Sequence, residues 1–326
     1  MAMSLVIVPA AVLFCVLASV LWILRRSREH RLAIDGKYVL ITGCDSGFGR
    51  ETAICLDKMG VNVLATCLTK EGEESLKSVT SKKMKTFLMD VTNSQQIGEV
   101  FDKVKEVIDD NSGLWGLVNN AGVLCLGPVE WVPLTHYKRT ADVNLWGMID
   151  VTKTFLPLVK TAKGRVILVS SIAGVVSAQV FSPYCVTKYG VEAFGDSLRR
   201  EMRPFDVQVS VIEPGAKRTP LLQKSEVLTD GLKALWNKLS EEKKREYGKD
   251  YFEDVTRGVK DWCSTASNDV KQVVDSIVSS LTSQTPKSRY VIGRDAWQLK
   301  LSAHLPESWQ DLLLKDFPLK PMAIRQ

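Results

Sequence analysis

The sequence has few of the residues that build metal sites or disulfide frameworks. It contains three histidines, and its seven cysteines are scattered without the spacing of metal ligands, at positions 15, 44, 55, 67, 125, 185 and 263. The absence of a paired cysteine framework argues for a reducing compartment. We therefore expect no metal in this protein and no disulfide staples.

The chain also lacks a large excess of either charge. Its net charge is +6 over 326 residues, and the cluster RRSREHR at 25–31 supplies half of that. The remainder is close to neutral, which argues against nucleic acid as the main partner. There is no solenoid-type repeat and no low-complexity linker. A composition of 45% apolar and 25% charged residues is ordinary for a globular protein with one large or two small domains.

The first feature that is present is an uncharged apolar run, LVIVPAAVLFCVLASVLWIL, at residues 5–24. At about 1.5 Å per residue it can span a hydrocarbon core of roughly 30 Å. A cleaved signal peptide is the alternative, but its basic residues would precede the apolar run, and here they follow it. We predict an uncleaved transmembrane helix within residues 1–24. A basic juxtamembrane linker at 25–35 would then keep the rest of the chain on the cytoplasmic side.

Apolar runs then alternate with longer amphipathic stretches. Strands are predicted at 37–43, 61–68, 84–91, 114–122, 164–171, 207–215 and 288–293. Helices are predicted at about 48–59, 71–79, 93–110, 134–160 and 183–203. Strands separated by helices imply βαβ units and a parallel sheet with helices on both faces. The predicted fold is a single α/β domain with a Rossmann-type, doubly wound parallel sheet.

Two segments fall outside this alternation. Residues 220–265 are charged, helical and free of strands, and we interpret them as an insertion. The tail at 294–326 is rich in apolar residues between Trp297 and Phe317. It could be a helix packed on the domain, a lid over an apolar pocket or a second membrane contact.

A glycine-rich turn follows the first predicted strand. TGCDSGFG at 42–49 opens the first helix and places Gly43, Gly47 and Gly49 in the spacing G-x-x-x-G-x-G. Glycines let the backbone turn tightly and approach a phosphate, and the helix N-terminus that follows attracts anions. The turn therefore indicates a phosphate-bearing ligand.

Other candidate site residues lie where later strands end. Asp90, Asn119, Ser171 and Pro214 end four of them, and the ligand site of an open parallel sheet lies beyond the carboxyl ends of its strands. We expect these residues to share one edge with the glycine turn.

SPYCVTK at 182–188 places a tyrosine four residues before a lysine. Ser182 is predicted to cap a helix and Pro183 to occupy its first position. Tyr184 and Lys188 then share a helix face. Taken alone, the two residues would fit an ordinary solvated surface pair.

Together these motifs resemble the short-chain dehydrogenase/reductase family over roughly residues 36–293. The glycine pattern, NNAG at 119–122, Ser171 and the Tyr184–Lys188 spacing carry the resemblance. TGCDSGFG, GLWGLVNNAG, SPYCVTKYGVEAFGDSLRREM and HLP at 304–306 resemble one membrane-associated branch. That branch holds retinol dehydrogenases, oxidative 17-beta-hydroxysteroid dehydrogenases and 3-hydroxybutyrate dehydrogenase.

The resemblance implies four catalytic residues. Tyr184 would exchange a proton with the carbinol oxygen as the general acid/base. Its pKa, near 10 in a free phenol, would be lowered by Lys188 and by the cofactor's positive nicotinamide. Ser171 would orient the substrate oxygen, and Lys188 would also hold the nicotinamide ribose. Asn144 would position a water that links Lys188 to solvent.

The resemblance also implies a nicotinamide dinucleotide as cofactor. Its pyrophosphate turn would be lined by Gly43, Ser46, Gly47 and Gly49. Asp90 would lie beside the adenine, and Thr219 would fix the carboxamide or the pyrophosphate. Asn119 would either line the cofactor cleft or pin the fourth strand.

The preference between NAD and NADP depends on the end of the second strand. The family's usual NAD marker is an acid there, but this chain has Cys67 followed by Leu68. NADP-binding members of the family often carry a basic residue for the 2′-phosphate at the position that Ser46 or Leu68 holds here, and this chain has none at either position. Asp45 adds a negative charge to the same turn. We predict NAD, with NADP less favoured and Lys70 as the nearby cation that could support it.

The implied reaction interconverts an alcohol and a carbonyl by hydride transfer. A lipophilic alcohol, a hydroxysteroid or retinol, suits a membrane-anchored enzyme and is the predicted substrate. A small hydroxy acid is the alternative, because SPYCVTKYGVEAF and YGKDYFED at 247–254 resemble 3-hydroxybutyrate dehydrogenase; Lys217 or Arg218 would then bind the carboxylate. A nucleotide-binding scaffold without turnover is a remote alternative. In the dehydrogenase reading, the 220–265 insertion would lie near the substrate pocket.

The same resemblance implies the endoplasmic reticulum membrane, with the catalytic domain in the cytoplasm. A mitochondrial membrane is the alternative, although residues 1–30 lack the early arginines of a transit peptide. The expected partners are the small-molecule substrate and the membrane. Oligomeric state is left open, although the long helices at 134–160 and 183–203 could pair between subunits.

Overall fold

The computed structural model of the chain describes residues 16–17, 31–108, 112–223 and 225–314. The predicted membrane anchor, apart from Val16 and Leu17, and the linker up to residue 30 lie outside these ranges. Among the described residues, no helix is both long enough and apolar enough to cross a bilayer.

Seven parallel strands form one sheet in the order β3-β2-β1-β4-β5-β6-β7. The strands are β1 (Tyr38–Ile41), β2 (Asn62–Cys67), β3 (Lys85–Leu88), β4 (Gly116–Asn119), β5 (Arg165–Val169), β6 (Gln208–Pro214) and β7 (Arg289–Ile292). Each of the seven predicted strands is confirmed. Strand order reverses at β1, which has β2 on one side and β4 on the other, and this switch point is where open α/β sheets bind ligands.

Helices cover both faces of the sheet. They are α1 (Gly47–Lys58), α2 (Lys70–Lys77), α3 (Ser94–Val107), α4 (Leu134–Ala141), α5 (Met148–Thr161), α6 (Ser182–Met202), α7 (Pro220–Gln223), α8 (Ser225–Lys238), α9 (Glu241–Tyr247), α10 (Lys249–Thr265), α11 (Lys271–Thr282), α12 (Arg294–Ser302) and α13 (Glu307–Leu314).

Alternation along the strands feeds two apolar cores. Val39 and Ile41 of β1 point into a core shared with α1 and α11. Leu40, between them, points into a second core shared with α3, α5 and α6, which includes the fully buried Phe155. The doubly wound arrangement predicted from the sequence is therefore confirmed.

The predicted helix at 134–160 is interrupted. Between α4 and α5, residues Asp142–Gly147 form a π-helical segment, a feature that occurs mostly as short bulges at functional sites. A Cβ at Gly147 would collide with the backbone carbonyl of Val91, so this segment lies directly against the loop after β3. One wider turn leaves the apolar pattern almost unchanged, which is why the sequence predicts a continuous helix.

Helix α6 begins one residue earlier than predicted. Its N-cap is Phe181, and Ser182 and Pro183 occupy the first two helical positions. The Ser182 hydroxyl shares a hydrogen bond with the Tyr137 hydroxyl on α4 instead of capping the helix. The prediction of Ser182 as N-cap is therefore wrong, because a tertiary partner binds its side chain.

Residues 220–265 form α7 to α10 without a strand, as predicted, apart from residue 224, which lies outside the described ranges. Their contact with the domain is built around Trp131, which is 3% exposed and lies 5.2 Å from the ring of Trp236 and 5.4 Å from that of Tyr247. Tyr247 also donates a hydrogen bond to Glu130 at 2.6 Å. The insertion is thus fixed to the loop that follows β4.

The described part of the tail, residues 294–314, forms two helices with different surroundings. Lys300 of α12 donates to the buried Glu213 of β6 at 2.6 Å, which ties this helix to the sheet. Helix α13 has no buried residue and exposes Trp309, Leu312 and Leu313. The prediction of a helix packed on the domain holds for α12.

Candidate active site

A cavity of about 1110 Å³ opens at the carboxyl edge of the sheet. Its lining includes a residue from just after the end of each of five strands. For β1, β3, β4, β5 and β6 these residues are Gly43, Asp90, Asn120, Ser171 and Gly215. Of the residues that the sequence assigns to strand ends, Asp90, Ser171 and Pro214 therefore meet around one space.

The glycine turn is shaped by close backbone packing. Gly43 has a φ of +70°, and a Cβ there would lie 2.8 Å from the Cα of Ala121. Gly47 also has a positive φ, +63°, and lines the cavity together with Ser46. Gly49 lies below the cavity, where a Cβ would collide with the side chain of Asn120. Glycine at this position therefore allows the close packing of the turn, and contact of Gly49 with a cofactor stays a prediction.

This turn suits an anion. Helix α1 begins at Gly47, and its first turn carries no acidic side chain. The partial positive charge of the helix N-terminus and its free N–H groups are therefore available to a pyrophosphate. The chain thus provides what a dinucleotide cofactor requires at this point.

Asp45 reaches across to the end of β2. Its carboxylate accepts hydrogen bonds from the Leu68 and Thr69 backbone N–H groups at 2.8 and 2.9 Å, and from the Thr69 hydroxyl at 2.8 Å. Asp45, Leu68 and Thr69 all line the cavity. A carboxylate is therefore present beside the end of β2, supplied by the glycine turn. Cys67 is fully buried there, and loss of solvation raises the pKa of its thiol to about 12, so it is a packing residue.

The other predicted cofactor residues divide into two groups. Asp90 and Thr219 line the cavity, and Thr219 lies against Gly47, 3.6 Å from the position of a Cβ there. Asn119 is 2% exposed and donates to the Thr152 hydroxyl at 2.9 Å, below the lining. The structure thus gives Asn119 the strand-pinning role, and Asn120 is the asparagine that faces the cavity.

Ser171, Tyr184 and Lys188 face the cavity together. The Lys188 ammonium lies 5.5 Å from the centre of the Tyr184 ring and donates to the Val169 carbonyl at 2.9 Å. A hydrogen bond joins Ser171 and Tyr184. The Ala173 N–H donates to the Ser171 hydroxyl at 3.1 Å and fixes its orientation. A phenol, a hydroxyl and an ammonium thus converge on one wall.

Burial dominates the acid–base properties of this group. Loss of solvation raises the pKa of Tyr184 to about 12, and the hydrogen bond with Ser171 offsets only part of that. Loss of solvation also lowers the pKa of Lys188 to about 8, against the opposing influence of Glu192. Burial thus acts against the lowering of the Tyr184 pKa that is expected from Lys188 together with a bound, positively charged cofactor, and that lowering stays a prediction.

Asn144 lies in the π-helical segment and is fully buried. Its Oδ1 accepts from the Val123 N–H at 2.7 Å, and its Nδ2 donates to the Val123 carbonyl at 2.9 Å and to the Thr187 hydroxyl at 3.1 Å. Both amide hydrogens are used, and the side chain is outside the cavity lining. The geometry therefore makes Asn144 a clamp between the loop after β4 and α6.

One wall of the cavity is apolar and comes from parts of the chain that carry no motif. Its side chains are Leu124, Val176, Ala178, Phe181, Leu222 and Trp262. Arg294, Asp295, Gln298 and Leu299 of α12 add a further wall; the sequence analysis offers the tail as a lid over a pocket but names none of these four residues. Because α12 directly follows β7, the rule that ligands bind beyond strand ends could have found it.

A family model described as short chain dehydrogenase matches residues 37–227. The chain belongs to the short-chain dehydrogenase family. The protein is accordingly an oxidoreductase of the alcohol dehydrogenase type, which interconverts an alcohol and a carbonyl, and its fold binds NAD or NADP. In the described part of the chain, no group of three or more His, Cys, Asp or Glu side chains could hold a metal ion.

Relatives place this short-chain dehydrogenase in the branch that its motifs indicate. It is 43% identical over 300 residues to retinol dehydrogenase 7 of Rattus norvegicus, covering 91% of this chain and 92% of that protein. It is 40% identical over 287 residues to the mitochondrial D-beta-hydroxybutyrate dehydrogenase of Rattus norvegicus, covering 86% and 84%. A crystal structure of a short-chain dehydrogenase from Streptomyces avermitilis matches with a TM-score of 0.68 at 25% identity, covering 86% of this chain and 96% of that one.

Proposed function

We propose that this protein is an NAD-dependent dehydrogenase of a lipophilic alcohol, a hydroxysteroid or a retinol. The observation that carries the proposal is the apolar wall beside Tyr184. Phe181 and Trp262 pack edge to face there with their ring centres 4.8 Å apart, and both line the cavity. Apolar area removed from water contributes about 25 cal/mol per Å², so such a wall favours a substrate with a large hydrocarbon body.

The size of the cavity supports the same proposal. Sites for a single small ligand typically enclose about 300 to 1,000 Å³. A cavity of about 1110 Å³ exceeds that range, and it joins the glycine turn to the apolar wall. It suits a dinucleotide and a second, bulky molecule together.

The catalytic roles follow from Ser171, Tyr184 and Lys188, which converge on one wall of the cavity. Tyr184 takes the hydroxyl proton of the alcohol as general base, and Ser171 hydrogen-bonds the same oxygen and orients it. Lys188 stabilises the phenolate by its charge. NAD, when bound, accepts the hydride. Asn144 keeps the loop after β4 and α6 in register, so that these groups stay aligned.

The preference for NAD is argued from Asp45. Its carboxylate is fixed by three hydrogen bonds beside the end of β2, where the family places the acid that binds ribose hydroxyls. A 2′-phosphate there would meet a like charge, which costs on the order of 1–3 kcal/mol, or about 5- to 150-fold in affinity. Lys70 is exposed and lies outside the cavity lining.

A small hydroxy acid is the second candidate, favoured by the hydroxybutyrate dehydrogenase relative and by Lys217. Lys217 is 4% exposed, lines the cavity and donates to Gln272 at 3.1 Å. It could turn toward a carboxylate. Arg218, the other candidate from the sequence, donates to the Ser264 carbonyl and lies outside the lining.

The setting is proposed to be the endoplasmic reticulum membrane, with the catalytic domain on the cytoplasmic side. The apolar run at 5–24 and the basic cluster after it support this. Trp297 and Leu301 of α12 and the apolar residues of α13 are exposed and would add a second membrane contact. A mitochondrial membrane is the alternative. Exposed Trp146 on the π segment and Val186 on α6 would support a homo-oligomer.

A turnover screen of the full-length, membrane-bound protein tests the proposal. The panel contains all-trans-retinol, an androgen, an estrogen and 3-hydroxybutyrate, each with NAD and with NADP. Turnover of retinol or a steroid with NAD supports the proposal, and turnover of 3-hydroxybutyrate alone supports the second candidate. NADH binding by fluorescence without turnover of any alcohol would indicate a nucleotide-binding scaffold.

A further inference from the structure

Helix α6 carries the proposed catalytic pair, Tyr184 and Lys188, and two acidic residues follow this pair at the same four-residue spacing. Tyr184, Lys188, Glu192 and Asp196 follow one another at four-residue intervals on α6 and share one face of the helix. Lys188 is 3% exposed and Glu192 is 8% exposed. A carboxylate is therefore buried on the same helix face as Lys188, one turn further along α6.

Glu192 is held in place by a neighbouring strand. Its Oε2 accepts from the Arg289 Nε of β7 at 3.1 Å, while the nearby Ser170 hydroxyl, directly after β5, donates to the Lys188 backbone carbonyl at 3.5 Å. A Cβ at Gly174 would lie 3.0 Å from the Glu192 Cγ, so a glycine there makes room for the side chain. Its Oε1 has no hydrogen-bond partner among the described residues, which leaves one carboxylate oxygen unused in a buried site.

Arg289 extends this cluster toward the tail. It also donates to Asp196 at 3.0 Å, and its Nε lies 3.0 Å from the fully buried Glu213 of β6. Glu213 in turn binds Lys300 of α12 at 2.6 Å. Arg289 thus connects the carboxylates of Glu192, Asp196 and Glu213, and Asp196 also pairs with Arg199 and Arg200 at 3.4 Å on the exposed side of the cluster.

We propose that Glu192 is a positioning residue that keeps Lys188 in its charged form, and that Arg289 fixes the carboxylate in place. The proposal rests on the roles given above to Tyr184 and Lys188. Burial lowers the pKa of Lys188 and Glu192 opposes that change. Tyr184 and Asp196 are the other titratable groups on this face, and Asp142, on the π segment that packs against α6, is exposed to solvent.

A purely structural role for Glu192 would have a different signature. A buried ion pair is weak evidence for stability, and its loss could change the unfolding free energy without altering the protonation of Lys188. The deciding measurement is therefore the titration of Lys188 itself, and it needs no turnover.

Competitive labelling with trace acetic anhydride provides that titration. The full-length protein is labelled across neutral and alkaline pH, and acetylation of the peptide that contains Lys188 is followed by mass spectrometry. In Glu192→Gln the midpoint is expected to fall by about one pH unit, because an opposite charge nearby typically shifts a pKa by about 1–3 units. Asp196→Asn is the matched control, since it removes a carboxylate from the same arginine two turns from the lysine, and its midpoint is expected to match the wild type.

Glu192→Asp keeps the charge but withdraws it by one methylene, and an intermediate midpoint is expected. It replaces Glu192→Gln if circular dichroism shows that the glutamine variant does not fold. A wild-type midpoint in the folded variant overturns the proposal, as does an equal fall in Asp196→Asn. An unmoved midpoint alongside an inactive Tyr184→Phe would reject this inference and leave the proposed function intact.

Discussion

At the scale of single residues, the proposed site removes water from the groups that must carry charge. Tyr184 and Lys188 both lose solvation, which moves their pKa values to about 12 and about 8. Each shift favours the neutral form. Charge in this site therefore depends on partners: Ser171 for the phenol, Glu192 for the lysine, and the positive nicotinamide of a bound cofactor.

Replacing Tyr184 with phenylalanine is expected to lower kcat/KM by about 10²- to 10⁴-fold, the usual contribution of a general acid/base. The substitution removes one hydroxyl from the cavity wall, so NADH affinity measured by fluorescence should stay near the wild-type value. Activity above roughly a tenth of wild type would remove Tyr184 from the proposed mechanism. Lys188→Ala is the comparison, because it should reduce both turnover and NADH affinity.

Lys188 should also make stability depend on pH. Its pKa is about 8 in the folded protein, against 10.5 for an ordinary lysine. Between these two pKa values the unfolded chain binds more protons than the folded protein, so the unfolding free energy rises with pH. The stability that this lysine contributes is fully present above the unfolded pKa, and it is lost as the pH falls through about 8. Lys188→Met should therefore gain more stability relative to wild type at neutral pH than at about pH 10. An equal difference in urea midpoints at the two pH values would contradict this.

Cofactor choice is expected to depend on the Asp45 carboxylate. The wild type should have at least about tenfold higher kcat/KM with NAD than with NADP, within the range estimated for a like charge in a partly buried cleft. Asp45→Asn keeps the side-chain shape and should narrow that ratio. Lys70→Ala is the companion variant, and it should remove whatever NADP activity exists. Equal efficiency with both cofactors in the wild type would be inconsistent with the proposed preference.

At the scale of elements, the sequence predicts the strands from their apolar runs and predicts the edge at which the site residues meet from where those strands end. All seven strands follow from apolar runs, and the meeting of Gly43, Asp90 and Ser171 follows from parallel pairing. The choice between Asn119 and Asn120 does not follow, because neighbouring strand residues point to opposite sides and two identical residues leave the choice open.

Features that depend on tertiary contacts could not be predicted from the sequence either. The π turn at Asp142–Gly147 depends on close packing with the β3 loop. The carboxylate of Asp45 reaches the end of a neighbouring strand, which no spacing along one chain reveals. The partner of Ser182 lies on another helix. In each case a distant group decides the local geometry.

The packing of the 220–265 insertion on the domain, and with it the stability of the protein, is expected to depend on Trp131. Trp131→Ala empties the centre of the aromatic cluster and should reduce stability by about 3–5 kcal/mol, the usual cost of removing a large buried aromatic side chain. Trp297→Ala is the control, because Trp297 is 54% exposed and its loss should change stability little. Urea unfolding measures both. Equal midpoints for the two variants would show that the cluster is not a support of the fold.

At the scale of the whole molecule, the proposed anchor and the exposed tail predict a two-part membrane attachment. Deleting residues 1–24 should move part of the protein from the membrane pellet to the soluble fraction. Further replacement of Trp309, Leu312 and Leu313 by serine should release the remainder. In intact microsomes, external protease should digest the catalytic domain. Complete protection would place that domain in the lumen and reverse the proposed topology.

The point at which the chain enters the domain has a consequence for how substrate is collected. Arg31 pairs with Ser283, and the Leu32 N–H donates to Thr282, at the edge of the sheet where β7 will begin; the cavity opens at the opposite edge. Six residues, 25–30, separate this point from the apolar run and reach at most about 20 Å when extended. If residues 5–24 span the bilayer as proposed, we expect the domain to lie on its side, so that a cavity at the far edge of the sheet reaches the membrane on so short a tether. Lengthening the tether should therefore change KM for a lipid-dissolved alcohol and leave KM for a water-soluble one as it was.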